Sequence, residues 1–190
     1  MASASPRRRE LLATLGVDFS VEASAVDETL EPGPLARAVA RLALRKARAV
    51  AARRPASLVL AADTIVVVDG EALGKPAGPE EAALMLRRLR GRRHEVMTGV
   101  AVVDAPGGRD ASDTVTSRVT MKDYSDAQIA AYVGTAEPLD KAGAYAIQGA
   151  GGALVDALDG SWSNVVGLPL HITATLLARF GLAVSAPPAE

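Results

Sequence analysis

Near the start of the 190-residue chain, Ser3-Ala-Ser5-Pro6-Arg7-Arg8-Arg9 has the makings of a phosphate cradle. Ser5 before Pro6 is a helix-start signal, a hydroxyl cap followed by proline at the first helical position. The N-terminus of a helix offers unpaired backbone N–H groups and about half a positive charge, and here guanidiniums stand beside it. The same residues also describe a capped surface helix with solvated arginines. A second signal is Asp63, a carboxylate inside the apolar run from Ser57 to Gly70. Such a charge must be paired, bound to a metal or placed at a strand end. A strand ending at Ala62 delivers Asp63 and Thr64 into a cleft, where the carboxylate orients water or holds a divalent cation. The alternative is a turn or bulge aspartate bonded to backbone amides.

Other signals are weaker taken singly. Asp27 and Glu28 form an acidic pair in a loop, able to reach the same cation. Lys75, in Leu73-Gly74-Lys75-Pro76, and Lys141, in Asp140-Lys141-Ala-Gly143, each offer a compact ammonium to phosphate, or are solvated loop lysines. Gln148 both donates and accepts, as reading a base edge requires; its plain reading is loop capping. His94 and His171 are too far apart for an HxxxH metal site and read as surface or packing residues. GxSxG, Walker A and GxGxxG motifs are absent, which disfavours α/β-hydrolase, P-loop and Rossmann readings. Gly149-Ala-Gly151-Gly152 reads as a flexible turn, because no helix signal follows it.

The elements that must position these residues follow from periodicity and punctuation. Helices are expected over 6–15, about 34–53 with Arg and Lys on faces other than its apolar one, 79 to about 91, 125–133 behind a Ser125-Asp-Ala-Gln128 capping box, and about 169–180. The Ser57–Gly70 run reads as a buried, parallel-type strand. Residues 94–104 and 112–121 read as an antiparallel hairpin across a turn-rich linker, and 153–158 as a further strand. The pattern is α/β, an elongated mixed sheet with flanking helices, and residues 185–190 read as a frayed tail.

Composition narrows the classes. Apolar residues make up 49% and charged ones 23%, enough to bury a core, and the length fits one domain. The formal net charge of −1 excludes the basic balance of a general nucleic-acid binder, so any positive site is local. Basic residues divide unevenly, 17 Arg against four Lys (Lys46, Lys75, Lys122 and Lys141). The lack of cysteine removes thiolate chemistry, disulfides and Cys-ligated metals. With neither a signal-peptide core nor an apolar run of the ~18 residues a membrane span needs, the expected location is the cytoplasm.

Taken as a set, Ser3-Ala-Ser5-Pro6-Arg7-Arg8, Ala62-Asp63-Thr64, Gly74-Lys75-Pro76, Glu137-Pro-x-Asp140-Lys141-Ala-Gly143-x-Tyr145-x-Ile147-Gln148-Gly149 and Val165-Val-Gly-Leu-Pro169 resemble the Maf family of nucleoside triphosphate pyrophosphatases, in order and spacing along nearly the whole chain. The resemblance implies a fold related to inosine triphosphate pyrophosphatase: one domain over 1–190, with two lobes around a central cleft. It implies hydrolysis between the α and β phosphates, yielding the monophosphate and pyrophosphate with Mg²⁺ or Mn²⁺. Carried over by position, Asp63 is the proton acceptor and, with Glu28, a metal ligand. Ser5, Arg7, Arg8, Lys46, Thr64, Lys75, Lys141 and Gln148 are substrate-binding, with Arg7, Thr64 and Gln148 at positions that separate substrates by base. The Asp140–Gln148 segment resembles the dTTP/UTP branch more than the 7-methyl-GTP branch. A nucleotide-binding regulator of septum formation is the rival of a different class, and a homodimer is common in the family. Two departures stand out: Ala146 replaces a common glycine, and the short apolar strand usual before the Ser-x-Ser motif is expected to be missing or cut short.

Overall fold

The structure, a computed structural model, describes residues 1–188. Helix α1 (Pro6–Ala13) begins as its residues dictate: Ser5 Oγ accepts from the Arg8 amide at 3.5 Å and Pro6 occupies the first turn. Helix α2 (Leu35–Ala51) buries Ala38, Val39, Leu42, Ala43, Lys46, Ala47, Val50 and Ala51, one continuous stripe at helical spacing. Lys46 therefore stands on the apolar face, not on another face as periodicity alone suggested. Its ammonium finds carboxylate partners there, which is the condition for burying a charge.

Strand β1 (Leu58–Val68) runs through Asp63 without a break, so the aspartate is not delivered by a strand end at Ala62. The paired carboxylate removes any need to end the strand. At Asp69 and Gly70 φ is 56° and 76°, the left-handed pair of a two-residue hairpin turn. Strand β2 (Glu71–Leu73) then returns antiparallel, with Val66 opposite Leu73 and Val68 opposite Glu71. The apolar run thus comes from burial on both faces rather than from parallel pairing. Helix α3 (Pro79–Leu89) carries Glu80 and Glu81 in its first turn and Arg87 and Arg88 in its last, as the helix dipole favours.

Strands β3 (Arg93–Asp104) and β4 (Arg109–Met121) form the expected hairpin, and α4 (Asp126–Val133) has the expected Ser125–Gln128 capping box. Three 3-10 turns follow, Glu137–Asp140, Ala142–Ala144 and Gly149–Leu154, the last where a flexible glycine turn was expected. Strand β5 (Val155–Asp159), the short α5 (Trp162–Val166) and α6 (Leu170–Arg179) complete the order. The fold is α/β, its sheet ordered β2-β1-β3-β4-β5 with both edge pairings antiparallel, which sharpens the expected mixed sheet.

The chain divides into two compact units. The first comprises Met1–Asp63, Thr98–Val115 and the chain from Gly167 onward. Its core is built from small side chains, Ala43, Ala47 and Val50 of α2 against Val59, Ala61, Ala101 and Val103 of the sheet. They let helix and sheet approach closely: a Cβ at Gly99 would lie 2.5 Å from the Val39 carbonyl oxygen, so only glycine fits. At its start, the Ala2 amide donates to the Leu60 carbonyl at 2.7 Å and the Met1 carbonyl accepts from Glu22 at 3.0 Å. These bonds give the first two residues strand-like partners on both sides. In the expected tail, the Ser185 amide donates to the Leu15 carbonyl at 2.8 Å, which ties that residue down; 189–190 lie outside the described residues.

The second unit, Thr64–Met97 and Thr116–Val166, has the larger side chains: Leu86, Leu89, Met121, Tyr124, Ile129, Tyr132 and Tyr145 pack with Val66, Val96 and Val119. Here Asn164 is fully buried, and its Nδ2 donates to the Val96 carbonyl at 3.0 Å and to Ser117 Oγ at 2.9 Å, fastening α5 to β3 and β4.

Candidate active site

In the first unit the loop before α2 is held by arginines one helical turn apart. Arg45 donates to Glu31 Oε1 at 2.7 Å and to the carbonyls of Thr29 and Asp27 at 2.8 and 3.1 Å, and Arg41 pairs with Glu31 at 2.6 Å. Asp27 turns inward on its own loop, accepting from the Thr29 amide and hydroxyl at 2.9 and 2.7 Å. Those bonds hold its carboxyl below the usual range. The acidic pair therefore splits, Asp27 shaping the loop and Glu28 facing the helix. Arg41, Arg45 and Glu31 are supports of this loop that the sequence reading missed, although the i, i+4 spacing of the arginines was visible.

Lys46 Nζ is 2.7 Å from Glu28 Oε1 and 2.6 Å from Asp63 Oδ1. The Lys46 and Asp63 side chains are 7% and 13% exposed, whereas Glu28 is 58% exposed, so the triad is closed on the Asp63 side and open at Glu28. Two carboxylate oxygens converging on one nitrogen also suit a hard divalent cation. Mg²⁺ is usually held by one or two carboxylates, with waters and substrate phosphates completing its shell. Among the described residues no group of three or more His, Cys, Asp or Glu converges, so a cation here must draw remaining ligands from substrate and water.

Arg8, distant in sequence, feels the charges of this triad's two carboxylates. Its Nε donates to the Gly167 carbonyl at 2.7 Å and its Nη1 to Ser3 Oγ at 3.5 Å. Desolvation lowers the guanidinium pKa; the charges of Asp63 and Glu28 oppose that shift and Arg7 adds to it. Ser5 spends its hydroxyl on the helix cap, and Arg7 is half-buried at the same helix start. The expected capped helix start is thus present, with Arg8 anchored inward. Thr64 follows Asp63 on β1, half-buried.

The second unit brings Lys75 and Lys141 onto joined loops. The Gly143 amide donates to the Gly74 carbonyl at 3.0 Å, one residue from Lys75 and two from Lys141. Gly143 has φ 68°, and a Cβ there would lie 2.9 Å from three side-chain atoms of Val66, so the stitch requires glycine. Lys75 is exposed and, among the described residues, has no ion-pair partner. Lys141 is 11% exposed, its Nζ donating to the Glu137 carbonyl at 2.5 Å and to Asp140 Oδ1 at 2.6 Å. Gln148 is half-buried at the start of the last 3-10 turn, where its side chain makes no capping bond, contrary to its plain reading.

His94 is buried in this unit, its Nε2 sharing a 2.7 Å hydrogen bond with Tyr145 Oη, while His171 is exposed. Burial pulls the His94 pKa down to about 4 and pushes the Tyr145 hydroxyl up. The histidine is a packing residue, neutral near pH 7, that latches the loop leading to Gln148.

In the first unit two carboxylates share one lysine and a capped helix start carries Arg7 and Arg8; in the second, Lys75 and Lys141 stand on joined loops. The chain belongs to the Maf-like protein family, whose model it matches over residues 1–180. Among its relatives, a dTTP/UTP pyrophosphatase of Moorella thermoacetica is 54% identical over 185 residues, covering 97% of this chain and 95% of that one. One of Myxococcus xanthus is 54% identical over 183 residues, with 96% and 92% covered, and one of Symbiobacterium thermophilum 52% identical over 182, with 95% and 93% covered. Among the described residues no helix is long and apolar enough to cross a membrane.

Proposed function

We propose that this protein is a nucleoside triphosphate pyrophosphatase that hydrolyses dTTP and UTP between the α and β phosphates, releasing pyrophosphate and the monophosphate. The observation that carries the reading is Asp63, a buried carboxylate held by Lys46 at 2.6 Å and shared with Glu28 through the same ammonium. The relatives' names supply the bases.

In this reading Lys46 fixes Asp63 Oδ1, and Oδ2 takes the proton from the water that attacks the α-phosphorus. Arg7 and Arg8 bind phosphate at the α1 start, and Ser5 sets that start by capping it. Lys75 and Lys141 neutralise charge that develops on the leaving pyrophosphate. Gln148 reads the base edge, with Thr64 contributing to the choice. Glu28 and Asp63 would hold a divalent cation, Mg²⁺ or Mn²⁺, which when bound supplies positive charge to the phosphate oxygens. The expected setting is the cytoplasm, and a homodimer is what the resemblance implies; light scattering of the purified chain checks the dimer.

Pyrophosphate release from dTTP, UTP, CTP, ATP, GTP and 7-methyl-GTP, with Mg²⁺ or Mn²⁺ and then with EDTA, tests the reading. Turnover of dTTP and UTP that stops with EDTA is expected. Tight nucleotide binding without release would instead make the protein a regulator.

A further inference from the structure

Glu137 and Tyr132 lie outside the residues assigned above, yet the loop that presents Gln148 is built on them. We propose that Glu137, braced by Tyr132, is the positioning residue for base selection, holding both flanks of Gln148; the inference rests on Gln148 being the base reader.

The Glu137 carboxylate accepts on one side of the loop and supports the other through tyrosine. Its Oε2 accepts from the Ala150 amide at 3.2 Å and its Oε1 from the Gly151 amide at 3.4 Å. Tyr132 Oη donates to Oε1 at 3.0 Å and itself accepts from the Ala146 amide at 3.2 Å. Gln148 sits two residues from the anchored amide on each side. It cannot shift along the loop without breaking charge-assisted bonds or leaving the buried Ala146 amide unpaired.

Close packing fixes the same register. Gly149 has φ 64°, and a Cβ there would lie 2.9 Å from Glu137 Oε2, so a side chain there would be strained and would push the carboxylate from its place. Just before Glu137, Ala136 adopts φ 60°, a left-handed conformation that a non-glycine residue takes when its surroundings impose it. Because the Glu137 carbonyl also accepts from Lys141 Nζ at 2.5 Å, one residue sets both a phosphate-side cation and the base-side loop. A carboxylate that accepts from two backbone amides and a tyrosine is committed to shaping the loop, which makes its task geometric.

The test uses the full chain as wild type, Glu137→Gln, Gln148→Ala and the double variant, measuring kcat/KM on dTTP and CTP and amide exchange over residues 146–151. Glu137→Gln is expected to lower the dTTP-to-CTP ratio about tenfold, mainly through KM, and to speed exchange by about tenfold or more. The double variant should lose no more discrimination than Gln148→Ala alone, because the brace acts through Gln148. Tyr132→Phe, which keeps the buried ring, carries the same expectation at smaller size if Glu137→Gln does not fold. Faster exchange with an unchanged ratio, unchanged exchange, or additive losses in the double variant would each overturn the proposal while Gln148→Ala still alters base choice. If Gln148→Ala itself leaves the ratio unchanged, the reading of Gln148 fails and takes the proposal with it.

Discussion

Replacing Lys46 with methionine removes the ammonium while keeping most of the stem's volume, and so isolates the charge that two carboxylates share. Stripping one partner from a buried ion pair costs about 3–5 kcal/mol, because the remaining charge is left uncompensated. Asp63 is the buried partner, at 13% exposure, and keeps only a small opening to water. Glu28, at 58%, is largely solvated, so its arm adds no more than about 1 kcal/mol. Methionine fits the apolar stripe of α2 and recovers part of the loss, which leaves a net cost of about 2–4 kcal/mol. For a chain of this length each kcal/mol moves Tm by about 2–4 °C, so the variant should melt roughly 5–12 °C lower.

Calorimetry at pH 7 in EDTA measures that drop, and repeating it across a Mg²⁺ titration adds a second arm. In the wild type the ammonium already occupies the point where the two oxygens meet, so Mg²⁺ without substrate should stabilise little. In Lys46→Met those oxygens are bare, and Mg²⁺ should recover a larger share of the lost Tm by mass action. A Tm in EDTA within about 1 °C of wild type would refute the claim that Lys46 is what permits Asp63 inside β1. A Mg²⁺ response no larger than that of wild type would refute the shared cation site.

Asp63→Asn should lower kcat for dTTP by about 10²–10⁴-fold with its circular dichroism spectrum unchanged, and wild-type pyrophosphate release would remove its role as base. Gly143→Ala forces a Cβ against Val66 at positive φ and should cost about 2–3 kcal/mol in urea titration, raising KM more than it lowers kcat by disturbing the Lys75 and Lys141 loops. A wild-type midpoint and KM would show that the stitch is not needed. His94 has a folded pKa of about 4 against an ordinary 6.5, so between those values the unfolded chain binds more protons. Stability should therefore fall by about 3 kcal/mol as pH drops from 6.5 toward 4, and His94→Gln should flatten that limb of the Tm-against-pH profile; an equal slope in the variant assigns the loss to other groups.

Local signals foretold the elements well. The Ser5 and Ser125 caps, the Pro79 start and the hairpin around 105–108 depend on neighbours a few residues apart, and each appears where the residues indicate. What escaped the sequence depends on distant partners. Asp63 reads as a strand end only while Lys46, 17 residues away, is not known to face it. The face of Lys46 was visible, since it stands four residues after Leu42 and seven after Val39, but its charge argued against burial until the partners were found. The 3-10 turn at Gly149–Leu154 carries no helix signal of its own; Glu137 holds it from outside. Only the order of the motifs singled out Lys75, Lys141 and Gln148, because they sit on irregular backbone that no periodicity describes.

The uneven count of 17 arginines to four lysines has a physical reading once the partners are visible. Arginines take the surface acids: Arg48 pairs with Asp110, Arg53 and Arg54 with Glu22, Arg90 with Asp126, Arg92 with Asp69, and Arg109 with Asp104. Such exposed pairs are each worth no more than about 1 kcal/mol, but they cancel charge across the surface. Lys122, donating to the Ala153 carbonyl at 3.0 Å, belongs to no site. Two of the other three lysines meet several acceptors at once, Lys46 two carboxylates and Lys141 a carbonyl and a carboxylate. Lys46 meets two carboxylates at 2.6 and 2.7 Å inside an alanine-lined stripe, where a planar guanidinium would need both more room and a coplanar acceptor. A net charge near zero is therefore no measure of the local field, because the arginines named above are paired with surface acids while Lys75, among the described residues, has no ion-pair partner.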